Sequence, residues 1–143
     1  MVLLYKYDLE NNLNNQKKFD DLQQLVNNDL KKVDIIIKEK IKNKINYIPK
    51  VASHLVKAGG KRIRPMLCLA CAQLCNYKGT KHINLSACIE FIHTATLLHD
   101  DVIDESKKRR GFKTANNIWG NKSSVLVGDF LLSKSFELMT EVE

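Results

Sequence analysis

Asp100, Asp101, Asp104 and Glu105 put four acids within six residues, and Lys107, Lys108, Arg109 and Arg110 come next as four consecutive bases before Gly111. The acids close an apolar run that begins near Ile83 and reads as a helix. At about 100° per residue, Asp100 and Asp104 share one face, a turn apart. Like charges so placed repel, and carboxylates near a helix C-terminus also oppose the macrodipole, so the arrangement costs stability twice unless a cation sits there. Mg²⁺ would supply it: the ion accepts one or two carboxylates, keeps several waters and completes its octahedron with phosphate oxygens. That suits a sparse DDxxD better than an all-protein Ca²⁺ cage. The four bases would then receive phosphate just past the helix end. A solvated helix end with local acid-base pairing gives the same pattern.

A second basic cluster, AGGKRIRP, spans residues 58 to 65. Gly59 and Gly60 permit a turn that exposes backbone amides, Lys61, Arg62 and Arg64 supply charge, and Pro65 suits the first turn of a new helix. The segment is not a P-loop, because it lacks the GxxxxGK[ST] spacing and no strand precedes it. A connector between two helices with a solvated basic face is the plainer reading. His93 lies seven residues before Asp100 and eleven before Asp104, so the three fall within about 40° of one another around the helix. By spacing alone, a lone histidine on an apolar helix is more often a satisfied core residue.

AGGKRIRP, then His93, then DDVIDESKKRRG together resemble the trans-prenyltransferases, the head-to-tail isoprenyl diphosphate synthases. The wording FIHTATLLHDDVIDES and SVLVGDF is similar to the long-chain branch of that family, whose products include the octaprenyl diphosphate used for quinone side chains. The resemblance runs from about residue 15 to 143. It implies an all-α fold, the N-terminal part of an isoprenoid-synthase-type helical bundle, and condensation of isopentenyl diphosphate with an allylic diphosphate, assisted by Mg²⁺. By the same resemblance, Lys61, Arg64, His93 and Arg110 hold isopentenyl diphosphate and Arg109 holds the allylic diphosphate. Asp100 and Asp104 bind Mg²⁺, with Asp101 supporting them. Ala95 and Thr96, small residues about a turn before Asp100, stand where an aromatic would block elongation in the family. They imply an open tunnel and a long product. Close helix packing is the alternative reason for small side chains there.

Along the chain, the periodicity predicts helices almost throughout. Phe19, Leu22, Leu25, Val26, Leu30, Val33, Ile36 and Ile37 recur at three and four over residues 16 to 46, with a break expected near Asn27 and Asn28. Pro49 is expected to start a short second helix to Ala58. Pro65 to Leu74 forms the third and Lys81 to about Glu105 the fourth, and Asn121 or Ser123 caps a fifth that runs to the chain end. No two-residue alternation of useful length suggests strands. Residues 1 to 14 are expected to be poorly ordered, and the whole chain to form a single domain.

At 143 residues and 44% hydrophobic the chain can bury a core. Its net charge of +7 comes largely from lysines scattered among asparagines and apolar positions. That reads as solvated helix surface, without the base-stacking aromatics of a nucleic-acid binder. Cys68, Cys71 and Cys75 fall at i, i+3 and i+7, yet with no fourth ligand nearby they read as reduced, buried thiols of a cytosolic helix, rather than an iron-sulfur or zinc site. The apolar start is too short for a secretory signal, and Glu90, His93, His99 and the aspartates disqualify residues 83 to 103 as a membrane span. A cytoplasmic location is expected.

Apart from Asp20 and Asp21, which lack the spacing, no second aspartate-rich motif occurs. The expectation is therefore an apparently truncated synthase domain. A truncated coding region and one half of a split enzyme both fit, with a homodimer or a separately encoded C-terminal half as partner. An inactive fragment or a non-catalytic subunit is the alternative. A terpene cyclase shares the DDxxD, but the RRG and GGKRIRP elements point to a second diphosphate and so to condensation.

Overall fold

A computed structural model describes the backbone of residues 2–57 and 60–142, and the side chains of 14–55 and 60–142. Among the described residues there are six helices: α1 (Val2–Lys40), α2 (Tyr47–Lys57), α3 (Ile63–Leu74), α4 (Lys81–Ile103), α5 (Ala115–Trp119) and α6 (Asn121–Thr140). One small hairpin, β1 (Lys108–Arg109) and β2 (Phe112–Lys113), lies between α4 and α5. Among the described residues, the all-α expectation holds apart from this hairpin. Of residues 1–14, expected to be poorly ordered, the backbone from Val2 belongs to α1, and the side chains of 1–13 lie outside the described residues.

Helix α1 buries Val26, Leu30, Val33 and Ile37, an unbroken stripe at spacings of three and four. The break expected at Asn27 and Asn28 is absent because both face solvent, while the stripe runs on beside them. Packing overrides their weak helix propensity. The helix ends at Lys40 rather than near residue 46, since Asn43 Oδ1 accepts the Ile45 amide at 3.0 Å and turns the chain locally. Helix α2 starts two residues before Pro49, which sits in the first turn where no amide is needed. Ala58, the expected end of that helix, lies outside the described residues.

Helices α3 and α4 stop by the same device. After α3, the Tyr77 amide reaches the Ala72 carbonyl and the Asn76 amide that of Gln73, both at 2.9 Å, with Asn76 at φ 54°. After α4, the Ser106 amide reaches Asp101 O at 2.9 Å and the Glu105 amide reaches Val102 O at 3.3 Å, with Glu105 at φ 49°. This is a Schellman closure. Its left-handed position falls on an asparagine in one case and a glutamate in the other.

Helix α6 packs along α4 through small residues. Ser124, Gly128 and Ser135 are buried, and a Cβ on Gly128 would collide with the His99 ring at Nε2. Ser124 Oγ also donates to Leu98 O at 3.0 Å. The cap expected from Asn121 or Ser123 is not used. Gly120, at φ 86°, joins α5 to α6 directly, and neither side chain caps the helix. The other face of α6 leaves Leu126 68% and Phe136 58% exposed.

This packing makes two stability effects testable. Glu105→Gly relieves a left-handed conformation that costs a residue with Cβ about 1 kcal/mol, so urea unfolding should show a comparable gain. Ala95 is 1% exposed and belongs to the hydrophobic core, whereas Thr96 faces solvent. Ala95→Phe should therefore lose about 1–3 kcal/mol to overpacking, while Thr96→Phe should stay within about 0.5 kcal/mol of the parent.

Candidate diphosphate and cation site

The C-terminal end of α4 sorts its acids by direction. Asp101 is 1% exposed, and its carboxylate receives Arg109 Nε at 3.0 and 3.2 Å and Arg109 Nη2 at 2.8 Å. Its backbone carbonyl also accepts Asn116 Nδ2 at 3.0 Å, besides the Ser106 amide. The side chain thus ties α4 to β1, and the main chain ties it to α5. Asp100 and Asp104 face solvent. Asp104 is the C-cap, and its amide bonds Asp100 O at 2.8 Å. Glu105 has left the helix for the turn, so it shares no helical face with them.

The hairpin presents the paired arginines in opposite ways. Arg109 pairs with Phe112 and Lys108 with Lys113, so the turn has only two central residues, Arg110 at φ 51° and Gly111 at φ 85°. Two successive positive φ values define the type I′ turn that suits a twisted hairpin, and Gly111 takes its position without strain. Arg109 therefore points back to Asp101 while Arg110 occupies the tip. His54 Nε2 lies 2.8 Å from Lys113 O and holds the hairpin to α2. Thr114 Oγ1, just after β2, donates to Ser106 O at 2.6 Å and so ties the end of the hairpin to the loop that leads into it.

A cavity of about 420 Å³ opens between the start of α3 and the middle of α4. Lys61, Arg64, His93 and Arg110 all line it, together with Arg62 and Glu90. Arg64 Nη1 lies 3.1 Å from His93 Nε2, so the imidazole accepts there as the neutral Nδ1–H tautomer. Burial, and then the Arg64 charge, hold the His93 pKa below its ordinary value; Glu90 opposes this, and Arg110 and Arg109 add to the lowering. Lys61 Nζ rests 5.3 Å from the Phe19 ring centroid. Gly60 sits close to Arg110 at the rim: a Cβ there would come 3.0 Å from Arg110 Nη1 and displace the guanidinium slightly. Gly59, the other half of the expected amide turn, lies outside the described residues.

These cations and acids fit a bound diphosphate and a hard divalent ion. Asp100 and Asp104 offer two solvent-open carboxylates, and among the described residues no group of three histidines, cysteines or acids could hold a metal by itself. A Mg²⁺ ion there would take its remaining ligands from water and phosphate, its usual habit. The hydrogen bonds that Arg109 donates to Asp101 raise its pKa first, against some desolvation, and the charges of Asp101, Asp100 and Asp104 add to it. Arg109 still has Nη1 and one Nη2 hydrogen beyond those spent on Asp101.

The arrangement separates residues that stand together in the sequence. Asp101, expected to support Asp100 and Asp104, faces the protein interior and pairs with Arg109, while the other two face solvent. Ala95 and Thr96 do not share a path: Ala95 packs in the core and Thr96 is on the open side. Cys71 and Cys75 are exposed, Cys68 half-buried and only Cys88 buried, because α3 turns Pro65, Met66, Leu69 and Ala70 inward instead. Burial holds the Cys88 thiol pKa above its ordinary value. Sequence reasoning missed the pairing of Arg62 with Glu90, 2.5 Å apart. Its signal was a glutamate inside an apolar run, three residues before His93.

Comparison with known proteins places this geometry. The Polyprenyl synthetase family matches residues 45–143. The chain is 45% identical over 123 residues to the octaprenyl diphosphate synthase of Escherichia coli (strain K12), covering 86% of this chain and 38% of that one. The all-trans-nonaprenyl-diphosphate synthase (geranyl-diphosphate specific) of Rhodobacter capsulatus is 46% identical over 124 residues, with the same two coverages. Among solved structures, a decaprenyl diphosphate synthase from Rhodobacter capsulatus superposes with a TM-score of 0.84 at 55% identity, over 86% of this chain and 38% of that chain. A polyprenyl synthase from Caulobacter crescentus CB15, complexed with calcium and isoprenyl diphosphate, gives 0.84 at 47% identity with the same coverages. The chain thus spans about 38% of the length of these relatives. Over that span its helices match the N-terminal part of isoprenoid synthase structures. The chain belongs to the Polyprenyl synthetase family.

Proposed function

We propose that this chain provides the first aspartate-rich wall of a long-chain polyprenyl diphosphate synthase, joining isopentenyl diphosphate to an allylic diphosphate to make prenyl chains for quinones. The observation that carries this reading is the single cavity in which Lys61, Arg64, His93 and Arg110 meet, beside a helix end that turns Asp100 and Asp104 outward. In this reading the four cavity residues hold the isopentenyl diphosphate. Arg109, already oriented by Asp101, meets the allylic diphosphate with the N–H groups it has left.

Bound at Asp100 and Asp104, Mg²⁺ would offset the charge that develops on the departing diphosphate. The chain's own groups do the rest. Arg109 is fixed before substrate arrives, so little reorganisation accompanies the developing charge. His93, neutral and bonded to Arg64, can donate from Nδ1 to a diphosphate oxygen without adding repulsion among the neighbouring arginines. Thr96 and Ala95 remain the proposed determinants of product length, Thr96 from the open face and Ala95 by allowing close packing behind it. The proposal includes a homodimer or a separately encoded C-terminal half as partner, and a cytoplasmic setting. Among the described residues, no helix is long and apolar enough to cross a membrane.

A chimera tests the function. Residues 15–143 would replace the matching segment of the Escherichia coli octaprenyl diphosphate synthase, and incorporation of labelled isopentenyl diphosphate would be followed. Long-chain product is expected, and Asp100→Asn or Asp104→Asn should lower turnover about a hundredfold or more. A folded chimera without turnover, or aspartate variants at the parent rate, would contradict the proposal.

A titration tests the cavity. The His93 imidazole, followed by NMR, should titrate below an ordinary histidine and move upward when inorganic pyrophosphate is added, since an anion favours the imidazolium. The native state binds the proton less readily than the unfolded chain, so His93 contributes stability that is fully present above the unfolded pKa and is lost as pH falls from there through the lower folded pKa. His93→Gln should remove that part of the acid sensitivity.

A further inference from the structure

We infer that Arg62 is a positioning residue of the diphosphate cavity: it neutralises Glu90 in the cavity wall and, through that pair, sets the start of α3 so that Lys61 and Arg64 face the anion. The inference rests on the proposed diphosphate reading of the cavity and adds to it a residue with a different task from its neighbours.

Glu90 is the element that needs explaining. It is 9% exposed, and it lines the same cavity as Lys61, Arg64, His93 and Arg110. A bare carboxylate there would repel a diphosphate and would itself be costly to bury. Arg62 Nη1 sits 2.5 Å from Glu90 Oε1, and Arg62 Nη2 lies 3.4 Å from Asp34 Oδ1 on α1. The Arg62 side chain is only 17% exposed, so its charge is spent on these acids rather than offered to the cavity.

The backbone supports the same assignment. Arg62 is the N-cap of α3 at φ 51° and ψ 31°, a left-handed conformation that a residue with Cβ adopts only when its surroundings hold it there. Its carbonyl accepts the Met66 amide at 3.0 Å, so the helix begins from this residue. The left-handed cap sends the Arg62 side chain toward α4, while Arg64 reaches His93 and Lys61 rests on Phe19. Glu90 lies three residues before His93 on α4, so one turn of that helix holds both the anchor and a cavity ligand. Its carbonyl also accepts Thr94 Oγ1 at 2.8 Å.

The test uses the 143-residue chain and inorganic pyrophosphate as probe, with affinity from calorimetry and the His93 imidazole signals as the reporter of the cavity. Arg62→Gln leaves Glu90 charged and unpaired, and should weaken pyrophosphate about tenfold or more. Arg62→Lys keeps the charge and should stay within about threefold of the parent. The decisive variant is Arg62→Gln combined with Glu90→Gln, which removes both charges and should also recover to within about threefold. A residue that bound the anion directly would show no such recovery. If the single Arg62→Gln chain fails to fold, as judged by its amide spectrum, the Arg62→Lys and double variants still decide the matter. Equal affinity in Arg62→Gln and parent, or a double variant that is folded but binds weakly, would overturn the inference alone. Failure of the parent chain to bind pyrophosphate would overturn the cavity reading and this inference with it.

Discussion

The structure of the site depends on one buried carboxylate. A charge taken out of water must be paired and hydrogen-bonded, and Asp101 meets that demand only if Arg109 comes back to it from beyond the helix end. That requirement shapes the segment beyond α4. The chain must stop its helix within a turn, reverse, and return a strand whose second residue points inward. The Schellman closure at Glu105, the two-residue turn at Arg110 and Gly111, and the Asn116 bond to Asp101 O each serve this path. Removing one partner of a fully buried pair costs about 3–5 kcal/mol. The Arg109 side chain is 31% exposed, which puts this pair below that range.

Once Asp101 and Arg109 are committed to each other, the remaining charges fall into two sets. Asp100 and Asp104 stand one turn apart at the solvent side of the helix end, against the macrodipole and against each other, a placement that favours a cation. Lys61, Arg64 and Arg110 line one cavity with His93, a placement that favours an anion. Arg62 and Glu90 repeat within the cavity wall the logic of Asp101 and Arg109: a pair that cancels in the wall leaves the neighbouring cations to act on a ligand. Such preorganisation has a cost in backbone strain, visible as left-handed conformations at Arg62, Glu105 and Arg110.

Much of this was legible in the sequence, and the unread part has physical causes. The helices α1 and α4 came from their apolar patterns and α2 and α3 from the prolines near their starts, and the cations that meet in the cavity stood in two short motifs. The supporting place given to Asp101 carried no direction, because DDxxD spacing tells which acids share a face, but not which face is buried. The hairpin was missed because two-residue strands have no alternation to detect; its signal was the arginine-glycine pair, a weaker hairpin cue than asparagine-glycine. Asn27 and Asn28 look like a break until the stripe beneath them is seen to continue. Ala95 and Thr96 are adjacent in sequence, yet the turn of about 100° between them puts one in the core and the other in solvent.

Amide hydrogen exchange across residues 104–117 tests most directly whether the Asp101 carboxylate organises the site. Asp101→Asn removes the charge that draws Arg109 back, whereas Asp100→Asn removes an equal charge one residue away that faces solvent. The account predicts that exchange through the turn, hairpin and start of α5 quickens about tenfold or more in Asp101→Asn and stays near the parent in Asp100→Asn. Equal protection in the two variants would contradict it, and would mean that the segment beyond α4 is held by its own hydrogen bonds without the buried pair.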